Sequence, residues 1–466
     1  MGAAQRHPSA SPMPLPRRIA VIDIGKTNAK VVLIDAETQA QLGVRSTPNT
    51  VRRDGIYPHA DVEQLWRFVL ESLRDLHASH GVEGVSITTH GATAALLRGD
   101  RLALPVLDYE HHGPEETAAA YGEARPAFGE SLSPRLPNGL NLGAQIFWQS
   151  RVHAEAFSKV TAILTYPQYW AWRLTGVMAS EVTSLGCHTD LWAPDRGALS
   201  SLVEREGWLG LFPEIKPAAS VLGTLLVEVQ AATGLSAETP VTCGIHDSNA
   251  SLLPHLGQRE TPFTILSTGT WVIAMTVGGA TDMLAPTRDS LANVDAFGRP
   301  VPTARFMGGR EFDMLAPDPV EPSEGDIAAV IAADWQALPS FVGGVGPFPD
   351  LRGAWTVDPE TLSAGERTAV VSLYLALMTE ACLRLAGLGR EIVIEGPLAR
   401  NALFGQALAR LTGVPVEASE DATGTSLGAS MLFDVGRGAA KPGRVLVPLE
   451  MAGFDGYAAR WRERVG

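Results

Sequence analysis

Six consecutive residues, Asp23-Ile24-Gly25-Lys26-Thr27-Asn28, overlap the end of one β-branched run, Arg18 to Ile24, and lead into a second, Ala29 to Asp35. Their types suit an anion. Glycine lets the backbone approach a phosphate closely, N–H groups and the Thr27 hydroxyl donate to it, Lys26 brings positive charge, and Asp23 can orient a hydrated Mg²⁺. The loop is not a Walker A motif, whose first glycine would fall at Ala20. Read alone, it serves equally as an ordinary hairpin turn. A second segment, Ser267-Thr268-Gly269-Thr270, lies between the strand-like runs Thr261 to Leu266 and Trp271 to Val277, and Ser267 follows Asp23 by 244 positions. Small hydroxyl residues around a glycine again present donors without obstruction. Two such turns in corresponding places support a phosphate role more strongly than either does alone.

A carboxylate for acid–base work stands in Gly244-Ile245-His246-Asp247-Ser248-Asn249. Asp247 can take the proton of an attacking hydroxyl as that oxygen moves toward phosphorus. In isolation an Asp before Ser-Asn is as readily a helix cap or turn residue. Cys243 and His246 have zinc-like spacing, but no second pair of ligands stands at a suitable distance in the sequence. Hydroxyl-matching groups beside aromatic mass occur at Thr89-His90-Gly91-Ala92-Thr93, Asp108-Tyr109-Glu110, Gln145 with Trp148, and His188-Thr189-Asp190 with Trp192. Each is as readily a satisfied core or loop residue; His90 and Gln145 lead.

The elements that must position these groups alternate. Helical spacing covers Val62 to His80, Gln145 to Glu155, Ala364 to Leu388 and Asn401 to Leu411; strand-like runs cover Gly84 to Thr89, Val160 to Leu164, Glu391 to Glu395 and Gly413 to Val416. The chain starts twice, each time with a strand, a small polar turn and a return strand. That predicts two similar α/β domains with mixed sheets and a ligand cleft between them. The boundaries expected are an N-terminal extension over 1–17 without fixed structure, a first domain over 18–255, a second over 256–445, and a C-terminal tail over 446–466.

The 466 residues are 45% hydrophobic and 19% charged, as in ordinary globular chains. With 37 basic and 51 acidic residues the net charge is −14, which argues against nucleic acid or an anionic membrane as the main partner. Three distant cysteines argue against a disulfide framework and for a reducing cytoplasm. The most apolar stretch, Ala369 to Leu388, is interrupted by Ser372, Thr379, Glu380 and Arg384 and reads as a core helix.

From about residue 18 to about 440 the sequence resembles the FGGY family of carbohydrate kinases, within the actin–hexokinase–Hsp70 ATPase superfamily. The likeness is carried by Asp23 to Asn28, by Ser267-Thr268-Gly269-Thr270-Trp271, and by Glu395-Gly396-Pro397-Leu398-Ala399-Arg400-Asn401 continuing through Gln406 to Gly413-Val414-Pro415-Val416. Many members have Thr or Ser where Lys26 stands, and a glycine pair or triplet where this chain has Glu395-Gly396-Pro397. The resemblance implies two actin-like (ribonuclease H-like) domains closing on ATP and a sugar, with Mg²⁺ as cofactor. It implies Asp247 as catalytic base and Asp23 as the Mg²⁺ residue, acting through water. It implies Gly25, Lys26, Thr27, Asn28, Thr268, Gly269 and Thr270 at the phosphates, and Gly396 and Asn401 at the adenosine. His90, Gln145, His188, His246 and Asp247 would meet the sugar. The His-Asp pair resembles the L-rhamnulose and L-fuculose kinase branch, which favours a 6-deoxyketose; xylulose, ribulose, a polyol, or an inactive sugar- and nucleotide-binding homologue are the alternatives. The family is often a homodimer.

Overall fold

The structure is a computed structural model that describes residues 15–419, 424–435 and 441–466. In the first half, β1 (Arg18–Ile24), β2 (Asn28–Asp35) and β3 (Gln41–Pro48) form an antiparallel meander, followed by α1 (Val62–His80) and β4 (Gly84–Thr89). Asp61 caps α1 by accepting from the Gln64 N–H, and Val62, Leu65, Val69, Leu73 and Leu76 recur at helical spacing to bury one face. β5 (Val221–Gly223), β6 (Val241–Thr242) and α2 (Asp247–Leu252) complete this half. The sheet order is β5-β6-β4-β1-β2-β3, with β4 parallel to both β1 and β6.

The second half repeats the plan. β7 (Phe263–Thr268), β8 (Val272–Val277), β9 (Ser290–Val294) and β10 (Pro300–Phe306) precede α3 (Ala364–Ala386), β11 (Ile392–Glu395), α4 (Ala402–Thr412) and β12 (Val416–Ala418). α5 (Thr425–Ser430), β13 (Arg444–Leu446) and α6 (Phe454–Val465) close the chain. The sheet runs β9-β10-β8-β7-β11-β12-β13, so β7, β8, β10, β11, β12 and β13 correspond to β1, β2, β3, β4, β6 and β5 of the first. The chain is a two-domain α/β protein with mixed sheets, as the doubled hairpin predicts.

Each sheet has its own core, and a third apolar layer joins them: Ile19, Val21, Val32 and Ile34 on one sheet face Phe263, Ile265, Met275 and Val277 on the other, with Leu252 and Ala429 from α2 and α5 between. α3 begins with a Ser363–Glu366 capping box and is buried along almost its whole length in the second core. By length and composition it is apolar enough to cross a membrane; its partners here are other core side chains.

Several expected bounds shift. β7 extends to Thr268 because Thr268 still pairs with Val272, so the second turn is Gly269–Trp271. The helix expected from Gln145 runs from Leu142 to Val152 and resumes at Ala154–Phe157, and the strand expected over 160–164 is Ala162–Thr165. Gly413 caps α4 at φ 70°, which delays the next strand to Val416. Residues 446–466 are not a tail: Phe454, Tyr457 and Trp461 of α6 insert into the second core, and the Trp461 indole donates to Ala337 O. Within the expected extension 1–17, residues 1–14 lie outside the described residues. Pro16 is buried, and the Arg17 guanidinium pairs with Asp35 at 2.7 Å, because that carboxylate closes the end of β2.

Candidate active site

The first half gathers its titratable groups at the ends of β1 and β4. The short bridge Ile245–His246 pairs with Thr88 and Thr89 of β4, which sets Asp247 at the head of α2 beside His90. Asp247 Oδ1 accepts from the Ser248 N–H at 2.6 Å and lies 3.2 Å from His246 Nε2, while the side chain keeps 34% exposure. Burial raises the Asp247 carboxyl above the ordinary carboxylate range, with His90 and the Ser248 hydrogen bonds pulling the other way. Burial pushes His246 down to about 4, so its ring is neutral at pH 7. Asn249 Nδ2 donates to His246 Nδ1 at 3.3 Å, which leaves the ring proton on Nε2, facing Asp247; the other tautomer would set a lone pair against the carboxylate.

Asp23, at the end of β1, is buried. Its carboxyl is raised by burial, and also by Asp247, against the pull of Lys30 and Ser426. Lys30 Nζ stands 3.2 Å from Asp23 Oδ2, and Ser426 Oγ, from the second half, donates to the same oxygen at 2.8 Å. The turn between β1 and β2 is closed by Gly25 N–H donating to Asn28 O at 2.9 Å, with Thr27 and Asn28 exposed at its tip. Asn49 braces it by donating to Gly25 O at 2.8 Å. Lys26 does not extend over the turn. Its ammonium is ion-paired with Asp108, lies 3.5 Å from Glu110 and sits 4.5 Å from the centroid of the Tyr109 ring.

The second half supplies shape. Thr268 Oγ1 donates to Glu395 O and accepts from Leu398 N–H, tying β7 to the segment after β11. Gly396 has φ 87°, and a Cβ there would stand 1.9 Å from Thr268 O; a Cβ on Gly309 would stand 1.8 Å from Gly269 O. These backbone contacts frame a cavity of about 790 Å³ whose wall includes Gly269, Thr270, Gly309, Pro397, Asn401 and Gln406. Glu395 itself is buried against His255 at 2.9 Å. That volume suits a drug-sized or nucleoside-sized ligand.

The expected residues therefore fall into groups. Asp23, His90, His246 and Asp247 interact with one another in the first half, and Gly269, Thr270 and Asn401 line the second-half cavity. His188, at φ 43°, bonds Leu140 O through Nδ1 at 2.7 Å; burial and then Arg305 push it down to about 4. Gln145 is turned inward, its amide nitrogen donating to Ala92 O at 2.6 Å and Gly139 O at 2.5 Å. Asn401 is occupied too, capping α4 through the Phe404 N–H at 3.0 Å and donating to Ser372. Sequence reading missed Lys30, Ser426 and Arg305. The hairpin register, with Asp23 opposite Lys30, held the signal for the first; nothing local marks the other two.

For Mg²⁺, no group of three or more His, Cys, Asp or Glu side chains gathers among the described residues. Asp23 nevertheless fits an ion that keeps its waters and rides on phosphate: it is a carboxylate whose ionisation burial, and to a lesser degree Asp247, opposes, a cost that a nearby dication relieves.

Two repeated sheets, with a carboxylate at a helix head in one half and a glycine-framed cavity in the other, form an actin-like two-domain α/β architecture suited to phosphoryl transfer. Residues 18–254 match the N-terminal domain of the FGGY family of carbohydrate kinases, and residues 260–442 match the carbohydrate kinase FGGY C-terminal domain. The chain belongs to that family and is a carbohydrate kinase. It is 24% identical over 443 residues to the L-fuculokinase of Salmonella typhi, covering 89% of this chain and 91% of that one. It is 25% identical over 266 residues to the rhamnulokinase of Bacteroides thetaiotaomicron, 54% of this chain and 53% of the other. A carbohydrate kinase from Novosphingobium aromaticivorans superposes with a TM-score of 0.89 at 37% identity, over 96% of this chain and 100% of that one.

Proposed function

We propose that the enzyme transfers the γ-phosphoryl group of ATP to the terminal hydroxyl of a ketose, with a 6-deoxyketose such as L-fuculose or L-rhamnulose as acceptor. The observation that carries the reaction is Asp247: a carboxylate at the head of α2, raised by burial yet still partly exposed, and held by Ser248 on one oxygen. A carboxylate whose proton affinity is raised by burial accepts a proton more readily, once ionised, than an ordinary Asp. Neutral His246 lies 3.2 Å from that carboxylate, and His90 stands by to meet a sugar hydroxyl. The acceptor choice is supported by this His246-Asp247 pair together with the fuculokinase and rhamnulokinase relatives.

Gly25, Thr27 and Asn28 on one side and Thr268, Gly269 and Thr270 on the other present the phosphate-facing turns. Gly396 and Asn401 shape the adenosine wall, and Asp23 holds the hydrated Mg²⁺ that neutralises phosphate charge when bound. Lys30 adds a cation at the end of that hairpin. Catalysis is then mostly positioning and electrostatics, as phosphoryl transfer requires.

The test is ADP release with Mg-ATP against a panel of ketoses, aldoses and polyols, with Asp247→Asn alongside. The expected result is turnover of a deoxyketose that falls by about 10²–10⁴-fold in the variant, the span of general-base contributions. Binding of ATP and sugar without turnover of any acceptor would overturn the reading.

A further inference from the structure

Lys26 stands at the tip of a phosphate-type turn but its charge is spent elsewhere. The ammonium enters a small pocket walled by Asn49, His90, Thr93, Asp108 and Tyr109, where it pairs with Asp108 and lies over the Tyr109 ring. The Asp108 side chain is only 6% exposed. Swinging Lys26 out to a phosphate would leave that carboxylate buried and unpaired, which proteins avoid. Asp108 Oδ1 receives both Lys26 and the Glu110 N–H; no bond to Oδ2 is recorded among the described residues. An ammonium has three protons, and Asp108 and Glu110 take two of its directions.

The pocket holds about 20 Å³, room for one hydroxyl-sized group. A single hydroxyl can accept one hydrogen bond and donate another. We propose that Lys26 and Asp108 together read one hydroxyl of the acceptor sugar, Lys26 donating to its oxygen and Asp108 accepting its proton, so that Lys26 is a specificity residue of the sugar site and not a phosphate ligand. The inference rests on the sugar-kinase reading above. It places His90, which borders the same pocket and interacts electrostatically with Asp247, between this anchor and the reacting hydroxyl.

The experiment compares wild type, Lys26→Met and Asp108→Asn in steady state with the best acceptor, and adds singly deoxygenated analogues of that sugar. Lys26→Met raises KM for sugar by about ten- to a hundredfold, the loss of one charge-assisted hydrogen bond, and leaves KM for ATP within about twofold. One deoxy analogue costs the wild type a similar factor and costs Lys26→Met nothing further, as coupled partners require. Lys26→Arg keeps the charge against Asp108, so the comparison survives if either neutral variant misfolds; it too raises KM for sugar, because a planar guanidinium cannot take the ammonium's directions. A raised KM for ATP with sugar KM unchanged, or no deoxy analogue coupled to Lys26, overturns the inference. A wild type that turns over no acceptor defeats the kinase reading itself and is thereby distinguished.

Discussion

The turn after β1 is surrounded by charge: Asp23 with Lys30, Lys26 with Asp108, and Asp247 with its two histidines. The turn after β7 occupies the equivalent place in an equivalent sheet, and there the backbone does the fixing, with Gly309 and Gly396 letting main chains approach at distances no Cβ permits. A repeated fold has thus divided its labour. One copy holds the groups that move protons and balance charge. The other holds a shape, which suits a ligand whose identity is read by outline and whose own phosphates bring the charge.

The contrast can be broken most severely in the second half. Gly309→Ala and Gly396→Ala each force a backbone shift and cost about 3 kcal/mol, Gly396→Ala the more because its φ of 87° disfavours any Cβ. Both should lower Tm sharply and abolish nucleotide binding by calorimetry. Gly269→Ala is the control: nothing lies within 4 Å of its Cβ position, so Tm stays while KM for ATP rises if the phosphate needs that space. Next in size is Gln145→Leu, which strands the carbonyls of Ala92 and Gly139 and costs about 1–3 kcal/mol by denaturant unfolding, with KM for sugar unchanged. A raised KM with full stability would instead make Gln145 a sugar contact. Asn401→Ala, by loss of the α4 cap, costs about 1 kcal/mol and modestly weakens ATP binding.

The charged half is sharpened by pH. Asp247 must be ionised to accept a proton, so kcat/KM rises with pH through the carboxyl's raised pKa and then levels. His246 stays neutral down to about 4. A pH–rate profile at saturating Mg-ATP should therefore fall away on the acid side above the range of an ordinary Asp, with Asp23, raised likewise, contributing to the same limb. A second limb near 6.5 that disappears in His246→Gln would show that the histidine titrates during turnover.

The sheets were legible from sequence because strand, small turn and return strand are local patterns, and Gly84 to Thr89 and Val62 to His80 match the observed bounds. Asp247 was legible as a helix head for the same reason. Where each side chain points was not. Gln145 looks like a sugar ligand until two carbonyls from separate loops claim its amide, and Lys26 looks like a phosphate ligand until Asp108, 82 positions on, claims its ammonium. Ser426 reaches Asp23 from 403 positions away, a distance over which no periodicity carries information.

α2 and α5 cross with their backbones almost touching: a Cβ on Gly428 would stand 1.7 Å from Ala250 O. Asp247 heads one of these helices and Ser426, the partner of Asp23, lies in the first turn of the other. The crossing stands beside the reacting groups, and a spacing this close leaves no room for any side chain at position 428. Ser426 therefore reaches Asp23 from a helix whose distance is set by main chain, so the spacing between the two halves at this point is written into backbone and not into a side chain that could turn away.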